Sequence, residues 1–284
     1  MQRQKSFEKD NAKLYLVGTP IGNLEDITFR AINTLKMVDI IYCEDTRTSY
    51  KLLSHYEIDT KLKSVHLFNE NEISHEIIEN IKKGLNVAII SDAGLPIISD
   101  PGWVVVKEAV DNDIDVVSIP GATAGLTALI ASGIPAHDFY FAGFLNSKKA
   151  KRKQELKKLY NKEETIIMYE SPHRIVETLS ILDELYTNRN IVLARELTKK
   201  HEEYLRGKPK ELLEVAETLK GEMVLIIEGN QNPETDELIE LNDLSIEEHY
   251  NYYLEKGMTS KDAMKQVSLD RHISKKEVYE IIKK

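Results

Sequence analysis

Intramolecular disulfides are excluded at the outset, because the 284 residues contain one cysteine, Cys43. Its strand-like setting, DIIYCED, makes a buried thiol the expectation rather than a reactive one, and reducing cytosol the expected compartment. Long apolar runs are missing too. None approaches the roughly 20 residues that span a bilayer, and the leader MQRQKSFEKDNAK is polar with no apolar core, so neither membrane insertion nor secretion is expected. Positive charge is in deficit: 38 Lys and Arg against 47 Asp and Glu leave −9. The surface as a whole therefore repels polyanions, and a nucleic acid would need a local basic patch. The eight histidines are scattered, with no H-x-x-x-H or H-x-x-E-H pair and no cysteine cluster, so no metal centre is expected. The hydrolase elbow G-x-S-x-G is absent, and so is Gly-Lys-Ser/Thr, without which there is no P-loop.

What is present is a folded α/β pattern. The chain is 42% hydrophobic and 30% charged, enough for one large or two ordinary domains. Short β-branched runs (LYLVG, DIIYCED, KSVHLF, NVAIIS, DVVSIPG, DFYFAGF, TIIMYES, NIVLAREL, EMVLIIEG) extend from residue 14 to about 229. Most are separated by stretches with apolar residues three and four apart, such as TFRAINTLKM and RIVETLSILDELY. Strand and helix in alternation imply βαβ units and mainly parallel sheets. Nine strands are many for one open sheet, and composition shifts sharply at AHDFYFAGFLNSKKAKRKQ. Two α/β domains are expected, residues 13–125 and 126–230, after a polar leader over 1–12. Beyond the polar EGNQNPETDE the pattern turns purely helical over 231–284, with Thr259 and Ser274 at N-cap positions and Gly257 at a helix end. That appendage has helix-turn-helix spacing, but its acids and bases nearly balance, so a packing or dimer-contact module is the alternative to a nucleic-acid reader.

Four Gly- or polar-rich loops follow strands, where open α/β sheets bind ligands: VGTPIGNLEDIT, CEDTRTS, SDAGLPIISDPG and IPGATAGLTAL. The first does not meet the G-x-G-x-x-G spacing of a dinucleotide loop, and Asp92 and Asp100 in the third would repel a pyrophosphate. Carboxylates accept from ribose hydroxyls, and backbone carbonyls tolerate a cation. S-adenosylmethionine, with a ribose, a sulfonium and no phosphate, fits such loops; the alternative is that their Gly and Pro only make turns. Asp100 reads as the cap of a helix that begins at Pro101. NSKKAKRKQELKK, after Phe141 and Phe144, is strongly basic and suits a phosphate backbone with neighbouring rings for bases. LTKKHEEYLRGKP is a weaker candidate of the same kind. In YESPHR, a helix start carrying His173 and Arg174 could take an anion, or could serve only as a cap with a salt bridge to Glu170.

Together LYLVGTPIGNLEDITFRA, EDTRTSYKLL, SDAGLPIISDPG, SIPGATAGLTAL and MYESPHRI resemble the ribosomal RNA small subunit methyltransferase I family of the tetrapyrrole methylase superfamily, in unbroken order from about residue 13 to 229. The resemblance implies two α/β domains with S-adenosylmethionine in the cleft between them, a homodimer, and 2'-O-methylation of a cytidine in the decoding region of 16S RNA in the small ribosomal subunit. It places Pro20, Asp92, Ala93, Gly94, Ile97, Ala122, Thr123, Tyr169, Glu222 and Met223 around the cofactor. Glu44 and Glu170 are the candidate proton acceptors at strand ends. Arg47, Lys148, Lys149, Lys151, Arg152, His173 and Arg174 are the candidate RNA contacts. After GFL, where relatives commonly carry Pro, this chain has Asn146 and Ser147. Two rival functions remain: a methyltransferase acting on a tetrapyrrole, and a non-catalytic RNA-binding protein working through the C-terminal helices.

Overall fold

The computed structural model describes residues 1–65, 70–231, 241–242, 244–271 and 273–283. Five short strands make the first sheet: β1 Leu14–Val17, β2 Ile40–Cys43, β3 Lys61–Ser64, β4 Val87–Ile89 and β5 Val116–Ile119. Side chains alternate between the two faces of a strand, and here both faces are apolar. Tyr15, Val17, Ile41, Cys43 and Ala88 enter one core with Ala31 and Leu35 of α1 (Phe29–Met37) and Leu53 of α2 (Thr46–His55). Leu14, Ile40, Tyr42, Val87 and Ile89 enter the other, with Ile77 and Ile78 of α3 (Glu70–Lys82) and Val105 and Ala109 of α4 (Trp103–Asp111). Burial on both faces is the signature of a parallel sheet covered by crossover helices, and all four pairings are parallel. Cys43 is fully buried there, and burial pushes its thiol pKa up.

The strand order is β3-β2-β4-β1-β5. From the adjacent strands β1 and β4 the chain leaves in opposite directions, toward β2 and toward β5. A crevice opens beyond the carboxyl ends of such a pair, at the topological switch point. The two loops that border it are bonded to each other: the Thr19 amide donates to the Gly94 carbonyl at 2.9 Å, and the Gly94 amide to the Thr19 carbonyl at 3.2 Å. Alongside, Gly18 and Gly121 are so close that a Cβ on either would lie 2.8 Å from the other's Cα.

The second sheet comprises β6 Phe139–Phe144, β7 Thr165–Glu170, β8 Ile191–Arg195, β9 Glu203–Gly207 and β10 Met223–Ile227, in the order β6-β7-β10-β8-β9. Parallel pairing, expected for both sheets, holds here for β6 and β7 alone; β10 lies antiparallel between β7 and β8, and β9 is antiparallel to β8. The short link from β8 to β9 permits an antiparallel neighbour, whereas a parallel one needs a crossover of about a dozen residues or more. β9, a half-exposed edge strand of sequence EYLRG, carries too few apolar residues to be recognised from periodicity. α5 (Ala124–Ser132) follows β5 of the first sheet, yet packs Ala128 and Leu129 on Ile167, Val192, Val224 and Ile226 of the second. α7 (Ile175–Leu185) packs against α6 (Lys149–Leu159) and α8 (Pro209–Ala216).

Residues 1–159 and 164–229, which carry both sheets, form one compact unit; residues 160–163 and 230–284 form a second. The second has α9 (Ile246–Glu255), α10 (Ser260–Asp270) and α11 (Lys275–Ile282). Ser245 and Ser274 head capping boxes with Glu248 and Glu277, Thr259 caps α10, and Gly257 takes φ 88° after α9. Inside this unit His249 is fully buried, and the Arg271 guanidinium donates to its Nδ1 at 3.0 Å. The polar stretch expected to lead into these helices lies, from residue 232 onward, outside the described residues, as does the end of KSVHLF from residue 66.

The contact between Gly18 and Gly121 yields a test of how tightly the crevice is built. Gly18→Ala is expected to destabilise the chain by about 1–3 kcal/mol through overpacking, read as a lower urea midpoint; an unchanged midpoint would show that the two loops are free to part.

Candidate functional site

A cavity of about 370 Å³ opens at the switch point. The loop after β4 forms one wall with Asp92, Ala93, Gly94, Leu95 and Asp100, and the start of α5 adds Thr123 and Ala124. The ends of β6 and β7 bring Phe144, Tyr169 and Glu170, and the β10 region brings Glu222, Met223 and Val224.

The loop from 91 to 102 is built under backbone strain. Gly94 has φ 84°, Ile97 77°, Ser99 67° and Gly102 127°. Glycine accepts such angles readily, but a non-glycine residue held there costs on the order of 1–3 kcal/mol. A Cβ on Gly94 would also approach the Ala122 carbonyl and the Ile21 side chain at 3.3 Å. The loop is pinned from below by the buried Ser91 hydroxyl, near the carbonyls of Ala93 and Gly94 at 3.3 and 3.2 Å, and by the Thr19 hydroxyl, which donates to the Ser91 carbonyl at 3.1 Å.

Asp100 does not cap a helix, contrary to its sequence reading. The N-cap position of the helix, which starts only at Trp103, is held by Gly102 with φ 127°, two residues beyond Asp100. Asp100 is instead half-buried on the cavity wall. Burial, then the negative charges of Glu44 and Asp92, push its pKa up from 3.8 to about 6, against the opposing hydrogen bond of Ser91. Nothing in the local sequence distinguishes Asp100 from a turn residue. Its environment comes from strands β2 and β4 meeting side by side.

Of the residues expected around a cofactor, Asp92, Ala93, Gly94, Thr123, Tyr169, Glu222 and Met223 line the cavity together. Pro20, Ile97 and Ala122 are not among the lining residues: Pro20 follows the bonded Thr19, the Ile97 side chain lies beside Gly102, and the Ala122 carbonyl lies beside Gly94. The Tyr169 hydroxyl accepts from the Gly125 amide at 3.3 Å, and its ring meets Phe141 and Phe144 with centroids 5.2 and 5.3 Å away. Glu222 is held at the rim by Lys199 at 3.0 Å, which also reaches Glu196 at 3.0 Å. Ile21, Leu197 and Val224 complete an apolar side that the sequence motifs did not single out.

Three candidates change role. Glu170, 3% exposed, has both oxygens engaged, by the Ser171 amide at 2.8 Å, Arg174 at 2.7 Å and the Thr178 hydroxyl at 2.5 Å. Taking up a proton there would break a buried ion pair, so Glu170 holds the β7 end in place and is not an open acceptor. Arg174 is committed to that pair and to the Leu145 carbonyl at 3.3 Å, so it is no free phosphate anchor. Arg152 is fully buried, bonded to Glu177 and to the carbonyls of Asn146 and Ser147; it ties down the turn after β6 and leaves the basic surface to its neighbours. Lys148, Lys149, Lys151 and His173 are exposed. Glu44 is exposed at the end of β2, off the cavity wall. Arg47 is exposed and pairs with Asp45 at 3.0 Å, holding that carboxyl below its usual range. Among the described residues no group of three His, Cys, Asp or Glu is placed to hold a metal ion.

The profile of the Tetrapyrrole (Corrin/Porphyrin) Methylases family matches residues 13–213. A Bacillus subtilis protein named ribosomal RNA small subunit methyltransferase I is 50% identical over 99% of this chain and 98% of its own length. A Halalkalibacterium halodurans protein of the same name is 46% identical over 99% of both. Among solved structures, uroporphyrin-III-C-methyltransferase from Thermus thermophilus superimposes with a TM-score of 0.57 at 19% identity, covering 77% of this chain and 94% of that one. That likeness is one of fold.

The raised pKa of Asp100 carries a stability consequence. The ionised carboxyl is disfavoured in the native state, so the stabilisation is complete at low pH and is lost as pH rises through about 6. Asp100→Asn is therefore expected to be more stable than the wild type by on the order of 1 kcal/mol near pH 8, after discounting for partial exposure, and to lose that advantage by about pH 4. Paired denaturant curves at both pH values check this; a variant that is less stable near pH 8 would contradict it.

Proposed function

The chain belongs to the ribosomal RNA small subunit methyltransferase I family within the tetrapyrrole methylases, and from that premise we propose that it 2'-O-methylates the ribose of a cytidine in the decoding region of bacterial 16S RNA. S-adenosylmethionine is the methyl donor, the small ribosomal subunit the partner and the cytoplasm the place of work; the active form is a homodimer. The observation that carries the reading is the character of the cavity wall, which has carboxylates and apolar groups and, among the described residues, no Lys, Arg or His. A phosphate ligand would find no counter-charge there. A ligand with ribose hydroxyls and a cationic centre would.

The residues present fit that donor. Asp92 offers a carboxylate to hydroxyl groups, and Ile21, Leu197, Met223 and Val224 offer an apolar surface for an adenine ring. Thr123 and Ala124 stand at the start of α5, where the Thr123 side chain makes no cap bond and the Gly125 amide donates to Tyr169; the positive end of the helix beside them suits a ligand carboxylate. When bound, S-adenosylmethionine supplies a methyl group already activated by the positive sulfur, which leaves the protein chiefly the task of alignment. The Thr19–Gly94 bridge fixes the loop that would carry the ligand, and the Tyr169 hydroxyl, accepting from the Gly125 amide, ties the second sheet to the start of α5.

For the RNA, Phe144 is the junction. It lines the cavity, is 58% exposed, and is followed within a few residues by exposed Lys148, Lys149 and Lys151. An aromatic face beside a cationic run suits a base unstacked from its strand and the phosphates next to it.

Incubating the chain and methyl-labelled S-adenosylmethionine with small ribosomal subunits from cells that lack the modification, then digesting the RNA to nucleosides, is expected to put the label on 2'-O-methylcytidine. Label on a base, or none, contradicts the proposal. In the same assay, reversal of Lys148, Lys149 and Lys151 to Glu is expected to weaken subunit binding and flatten its salt dependence, with affinity for S-adenosylmethionine unchanged by calorimetry. Unaltered RNA binding would remove the basic run from the interface.

A further inference from the structure

Methyl transfer to a ribose hydroxyl releases one proton, and the hydroxyl is a poor nucleophile until that proton has an acceptor. Four carboxylates line the cavity: Asp92, Asp100, Glu170 and Glu222. Glu170 is filled by Ser171, Arg174 and Thr178. Glu222 is paired with Lys199 and its side chain is 78% exposed at the rim. Asp92 accepts the Asp45 amide at 3.3 Å and stands in the stretch assigned to the donor. Asp100 is half-buried on the wall, and the Ser91 hydroxyl that serves it also lies against the carbonyls of Ala93 and Gly94. We infer that Asp100 is the catalytic residue that takes the proton of the 2'-hydroxyl, an assignment that rests on the methyl-transfer reading of this cavity.

The 2'-oxygen forms its bond to the methyl carbon while the carbon–sulfur pair stays on sulfur, leaving a neutral thioether. The O–H pair remains on the oxygen, and the proton goes to the Asp100 carboxylate and from there to water. The charges acting on Asp100 are those of Glu44 beyond β2 and Asp92 beyond β4; on the neighbouring elements, Glu170 and Arg174 are paired at the end of β7 and Asp45 and Arg47 at the start of α2. Burial and the neighbouring carboxylates bring its pKa to about 6. Such a group is still ionised at neutral pH, yet is a stronger base than an ordinary carboxylate.

The test is single-turnover ribose methylation of small subunits across pH, with calorimetric binding of S-adenosylmethionine alongside. Wild type should show an acid limb centred at about pH 6. Asp100→Asn should lose about 100-fold or more in rate, lose the limb, and bind S-adenosylmethionine as wild type does; Asp100→Glu should recover part of the rate and the limb. Independently of activity, carbon-13 NMR of labelled aspartates should show a carboxyl titrating at about pH 6 that is missing from Asp100→Asn. An Asp100→Asn variant with wild-type rate, a limb that persists in it, a limb removed by Glu44→Gln in its place, or a rate loss matched by lost donor affinity would each overturn the assignment alone. A wild-type chain that leaves the ribose unlabelled would overturn the methyl-transfer reading and the assignment with it.

Discussion

Two backbone hydrogen bonds, exchanged between Thr19 and Gly94, carry the geometry on which the rest of the site depends. They join the loops that leave β1 and β4 in opposite directions, and so turn a topological crevice into a walled cavity. The exchange needs glycine twice over. Gly94 adopts φ 84°, and the Gly18–Gly121 contact admits no Cβ, so the three strand-end loops can close together only with these residues in place. Strain at Ile97 and Ser99 is the cost of turning Asp100 onto the wall. The same crevice then determines chemistry: burial on its wall, reinforced by the charges of Glu44 and Asp92 from two neighbouring strand ends, raises the pKa of Asp100.

Charge is divided by location. The chain carries −9 overall and, among the described residues, none on the cavity wall is cationic, while exposed lysines follow Phe144 within a few residues. A donor of neutral or positive character is favoured inside and a polyanion only at the rim. Ion pairs with one buried member do the framing: Arg174 with buried Glu170 at the end of β7, and buried Arg152 with Glu177 beside the basic turn. Residues that look like phosphate anchors in a linear sequence are in these two cases the struts that hold the anchors' neighbours in position.

The fold was largely legible because the physical signals were local and strong. Runs such as DIIYCED and NVAIIS are apolar on both faces, which only a covered parallel sheet satisfies, and Thr259 and Ser274 occupy the N-cap positions their chemistry suggests. Antiparallel β10 and the edge strand β9 were not legible. Pairing direction depends on which strand inserts between β7 and β8, and EYLRG lacks the alternation that marks a buried strand. In the site, glycine and proline marked which loops could bind, and the family resemblance named Asp92, Gly94 and Thr123 within them; the three line one cavity. Burial and pairing belong to the folded state alone: that Arg152 is fully buried, that Glu170 is saturated, and that Asp100 faces a cavity instead of a helix are consequences of distant elements coming together.

The central claim is that S-adenosylmethionine occupies the crevice at the ends of β1 and β4. Amide hydrogen exchange measured with and without this ligand tests it most directly. The account predicts slower exchange at residues 18–21, 91–102 and 122–125, and at the ends of β7 and β10, with the helices of residues 246–282 unaffected. Binding that leaves the amides of Thr19 and Gly94 unchanged, or that protects a different surface, would contradict it.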